Sequence, residues 1–156
     1  MLNFKFLISN FWHFLALGFG FGMTPKAPGT FGTTLAFPIF LIIAPLSKEL
    51  QILFVTTLFF LSLRACEITS SNLKIKDPSS IVIDEIVAML LILICIDMSL
   101  LNFVIAFILF RFFDIKKPFP INWVDKNIKG GLGIMLDDIV AAIPPILIVN
   151  IWTNFI

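Results

Sequence analysis

A chain of 156 residues that is 59% hydrophobic and only 13% charged, with a mean hydropathy of +1.05, falls outside the composition of a soluble domain, which needs a larger polar surface to stay dispersed. Its formal net charge of +1 exerts no general pull on nucleic acid, and no nucleic-acid partner is expected. Cys66 and Cys95 have neither metal-ligand spacing nor the pattern of a disulfide framework, so both read as free structural thiols.

A lipid bilayer is the solvent this composition fits, with 19 Phe residues among the side chains that can face hydrocarbon without penalty. Residues 1–156 read as one all-α domain: a multi-pass membrane bundle of four to five transmembrane helices behind an N-terminal interfacial or re-entrant segment. At the N-terminus a single Lys5 and several aromatic residues precede no clean cleavage site, so the segment is expected to stay in the mature protein. Residues 12–22 are apolar but short and glycine-rich, which suits an interfacial or re-entrant element better than a full span. His13 is the sole histidine and reads as structural or interfacial. The run Gly18-Phe19-Gly20-Phe21-Gly22 leads to Pro28-Gly29-Thr30 and Thr33. It has two readings: an anion cradle of backbone N–H groups, or helix packing through small residues with an N-cap. No Gly-Lys-Ser/Thr follows, so it is not a P-loop.

Apolar runs at 31–46 and 50–63 make a first pair of spans joined by Ser47-Lys48-Glu49, and runs at 86–96 and 100–113 make a second pair joined around Asp97. The fifth run is 139–156. Pro38, Pro45 and Pro144-Pro145 are expected to kink or end helices locally. With five spans, the N-terminal segment and the connections at 64–80 and 111–129 share one side. That side carries every basic residue except Lys48, 10 of the 11, and every acidic residue except Glu49 and Asp97, 8 of the 10. The positive-inside rule assigns it to the cytoplasm.

Chemistry is expected on that crowded face. Asp84-Glu85 opens the third span, and Asp137-Asp138 stands where the fifth begins. Two adjacent carboxylate pairs on one face repel strongly at low dielectric unless cations hold them. Oxygen ligands of this kind point to Mg²⁺, which is often bound by one or two carboxylates together with a substrate phosphate. At the end of the fourth span Arg111, Asp114 and Lys117 recur every three residues and so share roughly one helix side. That face sets a metal ligand between a guanidinium able to grip phosphate bidentately and a lysine acting as a point charge. Pro118 and Pro120 are expected to stop the helix, with Trp123 in an interfacial belt and Asp125 on the surface segment that follows. One histidine, no cysteine-arginine phosphate loop and no Asp-x-Asp motif leave covalent catalysis poorly supported and metal-assisted attack by water favoured. An ion- or proton-coupled transporter is the competing class; a Mg²⁺-dependent phosphatidyl-group transferase is a second enzyme class.

A family resemblance rests on blocks that run in order from about residue 12 to about residue 142. They are Trp12-His13, Gly18-Phe19-Gly20, Pro25, Pro28-Gly29-Thr30 through Gly32, Ile81-Val82 with Asp84-Glu85, Phe110-Arg111 with Asp114, Lys117-Pro118 with Pro120, and Asp125 through Gly130-Gly131, Gly133-Ile134-Met135 and Asp137-Asp138. In these the chain resembles the phosphatidylglycerophosphatase A family. The resemblance implies Mg²⁺-dependent hydrolysis of the terminal phosphate of phosphatidylglycerophosphate at the bacterial inner membrane, with the site facing the cytoplasm. Together with the residue reading, it makes Asp84, Glu85, Asp114, Asp137 and Asp138 the expected metal ligands. Thr30, Thr33, Arg111 and Lys117 are the expected phosphate-binding groups, and Asp125 joins Asp84, Glu85, Arg111, Asp114 and Lys117 as an expected catalytic residue. Thr33 stands where the family pattern leads one to expect serine, which keeps the hydroxyl. Residues 65–77 match poorly, so Glu67 receives no role.

Overall fold

The computed structural model describes residues 4–155; the last residue of the fifth expected span, Ile156, lies outside them. The described residues form helices and no strands. In chain order these are α1 (Phe4–Ile8), α2 (Phe11–Ala16), a 3-10 turn (Gly18–Met23), α3 (Pro28–Ile43), α4 (Lys48–Leu73), α5 (Ile83–Cys95), α6 (Leu100–Lys116), α7 (Ile121–Asn127) and α8 (Gly130–Asn154).

All five apolar runs are helical, but they are not equivalent. Only α4 and α8, among the described helices, are long and apolar enough to cross a membrane. The 13 residues of α5 rise about 20 Å, short of the roughly 30 Å of a hydrocarbon core. This helix is apolar all round because it is the core: Ile86, Val87, Met89, Leu90 and Ile92 are fully buried, with α3, α4, α6 and α8 packed about it. The surrounding helices turn apolar side chains outward instead, among them Leu53 and Phe60 of α4, Ile108 and Phe112 of α6, and Leu147 and Ile151 of α8.

Helix boundaries differ from the sequence reading in ways that shape the site. The connection expected from Arg64 is helical as far as Leu73, where Lys74 in the left-handed conformation (φ 55°) ends α4. Of the Ser and Thr residues in this helix, Ser62, Thr69 and Ser70 are buried, whereas Thr56, Thr57 and Ser71 are exposed. Pro38 and Pro144-Pro145 do not end helices, since α3 runs through the first and α8 through the pair, whereas α3 ends just before Pro45 and α6 just before Pro118. At the other end of α8 the glycine run is helix rather than loop, so Asp137-Asp138 lie two turns inside the helix and do not open it. A Cβ on Gly131 would collide with the Leu63 carbonyl, so the close approach of α8 to α4 requires glycine there.

The N-terminal glycines likewise serve packing. A Cβ on Gly22 would strike the Ser80 carbonyl, and Gly32 lies directly against Val82. Val82 N–H also donates to the Ala16 carbonyl (3.0 Å). His13 is buried between α2 and α4. Asn72 Nδ2 donates to its Nε2 (3.1 Å), which leaves the proton on Nδ1 to be donated to Thr69 Oγ1 (2.9 Å). Phe6 stacks on the ring at 4.3 Å. Replacing Thr69 with the isosteric valine strands that N–H, and should lower stability by about 1–3 kcal/mol; thermal unfolding of the purified variant checks this.

Candidate active site

Chain direction alternates so that α3, α5 and α8 begin, and α4 and α6 end, at one end of the bundle. At the opposite end Lys48 Nζ donates to the Ile94 carbonyl and Asn150 Nδ2 to that of Cys95 (3.0 Å). The first end opens into a cavity of about 330 Å³ lined by Gly29, Asp77, Asp84, Glu85, Arg111, Asp114, Lys117, Asp137 and Asp138 together with Ala27, Pro28, Pro78, Ser79, Ile81 and Ile115.

Asp84 and Glu85 stand in the first turn of α5, where the helix dipole favours negative charge. One carboxylate oxygen each from Asp84, Glu85 and Asp138 lies within 4.8 Å of the others. Asp84 is 8% exposed and Asp138 3%, so three carboxyl groups meet where water hardly reaches. Asp84 Oδ1 and Glu85 Oε2 are buried with no hydrogen-bond partner. Buried carboxylate oxygens that converge without donors are a hard-cation ligand set, and the three residues fit a divalent metal.

Two cations border this triad. Arg111 Nη1 pairs with Asp114 Oδ2 (2.6 Å) and Glu85 Oε1 (3.2 Å), and donates to Thr33 Oγ1 (3.4 Å). Thr33 in turn donates to the Gly29 carbonyl (2.8 Å). Gly29 lies beneath this pair, and a Cβ there would run into Glu85 Oε1. Lys117, in the left-handed conformation that ends α6 (φ 42°), bonds Asp137 Oδ2 (2.5 Å) and Asp125 Oδ1 (3.1 Å). Burial opposes its charge, but the two carboxylates more than offset that and hold the ammonium above its ordinary pKa range.

Of the five expected metal ligands, Asp84, Glu85 and Asp138 converge; Glu85 and Asp114 pair with Arg111, and Asp137 pairs with Lys117 through Oδ2 while its Oδ1 is buried without a partner. Arg111, Asp114 and Lys117 all line the cavity: the first two share one side of α6, as their spacing implied, whereas Lys117 stands past the helix end in the left-handed conformation. Thr33 is buried behind Arg111, and Thr30 uses its carbonyl to accept from Thr34 (2.8 Å). Asp125, on α7, bonds Lys117 at the edge of the site.

Two acidic residues escaped the sequence reading. Asp77 lines the cavity from the loop before α5. Solvent reaches its side chain, yet the surrounding protein desolvates it enough to push its carboxyl above the ordinary range; Lys117 opposes this rise while Asp125 and Asp114 add to it. Glu67 accepts the backbone N–H of Gly131 (2.5 Å) in the first turn of α8, a carboxylate cap supplied from another helix. Glu67→Ala should cost roughly 0.5–2 kcal/mol and Glu67→Gln, which keeps an acceptor, less; thermal melts of the two variants compare them.

Fold and cavity together define an all-helical protein with an acidic, cation-flanked site of the kind that handles phosphate esters. The sequence pattern of the family described as Phosphatidylglycerophosphatase A matches residues 14–153. A phosphatidylglycerophosphatase A of Escherichia coli is 39% identical over 137 residues, covering 87% of this chain and 80% of its own length. One from Haemophilus influenzae is 39% identical over 140 residues, 88% and 85% of the two chains. A Bacteroides thetaiotaomicron protein provisionally named a phosphatidylinositol-3-phosphatase is 32% identical over 145 residues, 88% and 90%. No solved structure matches. The chain belongs to the phosphatidylglycerophosphatase A family.

Proposed function

We propose that this protein hydrolyses the terminal phosphate monoester of phosphatidylglycerophosphate to phosphatidylglycerol and inorganic phosphate, with Mg²⁺ as cofactor. It is a bacterial enzyme of phospholipid synthesis, embedded in the cytoplasmic membrane with its cavity at the cytoplasmic boundary. The observation that carries the reading is the buried Asp84–Glu85–Asp138 cluster beside Arg111 and Lys117, in a family whose relatives are named for this reaction. The outward apolar side chains of α4, α6 and α8 and the basic residues gathered at the site end support the membrane placement.

Asp84, Glu85 and Asp138 would hold the metal, which supplies Lewis-acid charge to the phosphate and activates water. Arg111 and Lys117 bind the phosphoryl oxygens and stabilise the charge they carry as water attacks in line and the bond to the glycerol oxygen breaks. Asp114 and Asp137 orient those two cations through the ion pairs described above. We assign to Asp77, which lines the cavity near Lys117, the acceptance of the water's proton; the departing glycerol oxygen takes one up as it leaves. Because the carboxylates gather round a cavity at one end of the bundle, the arrangement favours an enzyme over ion-coupled transport, which needs polar groups along a path through the midplane. Incubating purified protein with phosphatidylglycerophosphate should release phosphate with Mg²⁺ present and stop when EDTA removes it. Release unaffected by chelation would remove the metal from the account.

A further inference from the structure

We infer that the groove between α3 and α6 is the binding site for an acyl chain of the lipid substrate. The inference rests on the phosphatase reading above and adds to it where the hydrophobic part of the substrate lies. Two apolar cavities of about 310 Å³ and about 400 Å³ share Phe37, Leu100 and Phe103 and so form one trough along the two helices. Its floor is phenylalanine: Phe37 meets Phe103 and Phe107, each at 6.0 Å between ring centroids.

No charged side chain lines the trough, and each of its two hydroxyls makes a local hydrogen bond to its own helix. Thr34 Oγ1 donates to the Thr30 carbonyl (2.8 Å), and Ser99 Oγ accepts from Asn102 N–H (3.1 Å). The walls therefore offer hydrocarbon and nothing that selects a polar ligand.

Proximity to the catalytic cavity, with which the trough shares no lining residue, selects the occupant. Thr34 adjoins Thr33, which contacts Arg111, and Phe107 lies one turn before Arg111 on α6. The trough thus starts within a turn of the phosphate-binding guanidinium. From Phe107 to Leu100 it descends roughly 10 Å at the helical rise, room for part of a fatty acyl chain. A lipid whose phosphate sits beside Arg111 must pass its chains out of a polar cavity, and this trough between the same two helices receives one of them.

The test blocks the trough with Val104→Trp, and independently with Leu100→Trp; these positions are 47% and 81% exposed, so neither substitution disturbs the core. Purified wild type and variants are compared on phosphatidylglycerophosphate with oleoyl chains and with hexanoyl chains. The wild type should favour the long-chain lipid by about tenfold or more in kcat/KM, and blocking should bring that ratio close to one. A long-chain lipid carrying a photoreactive diazirine in its tail should label α3 and α6 in the wild type and lose that labelling in the variants. Phosphate release with an unchanged chain-length ratio in both variants overturns the groove assignment, as does labelling spread over the outward faces of α4 and α8, which is what bulk lipid would give. Failure of the wild type to hydrolyse either lipid counts instead against the phosphatase reading, and the labelling pattern then decides the groove alone.

Discussion

Asp138→Asn should lower turnover by about 10³-fold or more while leaving a folded protein. The substitution keeps size and removes one negative charge from a cluster in which three carboxylate oxygens lie within 4.8 Å. Without metal the folded state should gain stability, since one fewer ionisable group is buried in the cluster. With metal the order reverses. Mg²⁺ binding to the folded state raises its stability by mass action, so the wild type should melt at a higher temperature as Mg²⁺ is added and the variant should respond little. Asp84→Asn, at a position 8% exposed and with one carboxylate oxygen unpartnered, is expected to behave alike. Phosphate-release kinetics and Mg²⁺-dependent melting measure the two halves. Near-normal turnover in either variant would remove that residue from the site.

The second large effect is expected at Arg111. Its side chain is bound to Glu85, Asp114 and Thr33, so Arg111→Ala deprives two largely buried carboxylates of their cation. That should cost about 3 kcal/mol of stability together with about 10²–10³-fold in kcat/KM. Arg111→Lys separates the two consequences: the charge is kept, but the guanidinium's N–H donors other than the Nη1 that meets Glu85, Asp114 and Thr33, which could grip phosphate, are lost. The lysine variant should therefore recover most of the stability and only a minor part of the activity. Melting curves and kcat/KM for the three proteins give the comparison; full recovery of activity by lysine would mean that only net charge matters at this position.

Much of this site is legible in the sequence because its chemistry is written in local spacing. Adjacent acids at Asp84-Glu85 and Asp137-Asp138 stand out against apolar surroundings, and the three-residue interval from Arg111 to Asp114 is a statement about one helix side, though Lys117 proves to lie past the helix end. What spacing does not reveal is which carboxylate meets which partner. In the fold Asp114 pairs with Arg111 and Asp137 with Lys117, while Glu85 pairs with Arg111 and also converges with Asp84 and Asp138.

Asp77 illustrates a different blindness. An acidic residue in the polar stretch Lys74-Ile75-Lys76-Asp77 resembles an ordinary solvated charge, and only the return of that loop over α6 and α8 makes it part of a cavity. Glu67 was hidden by a boundary: reading α4 as ending near Leu63 put it in a loop, whereas the helix carries it on to cap Gly131. Hydropathy likewise treats α5 as one apolar run among five, because a lipid-facing helix and a fully buried one need the same side chains. Length is the distinguishing clue, since 13 residues do not cross a bilayer.

The central claim is that the Asp84–Glu85–Asp138 cluster and its flanking cations remove the terminal phosphate of phosphatidylglycerophosphate. The most direct test is Mg²⁺-dependent phosphate release by the purified protein from that lipid, set beside phosphatidic acid, phosphatidylinositol 3-phosphate and CDP-diacylglycerol under one condition. The account predicts the highest kcat/KM on phosphatidylglycerophosphate and no reaction of CDP-diacylglycerol, which lacks a phosphate monoester. A higher kcat/KM on phosphatidylinositol 3-phosphate, or no phosphate from phosphatidylglycerophosphate at all, would contradict it.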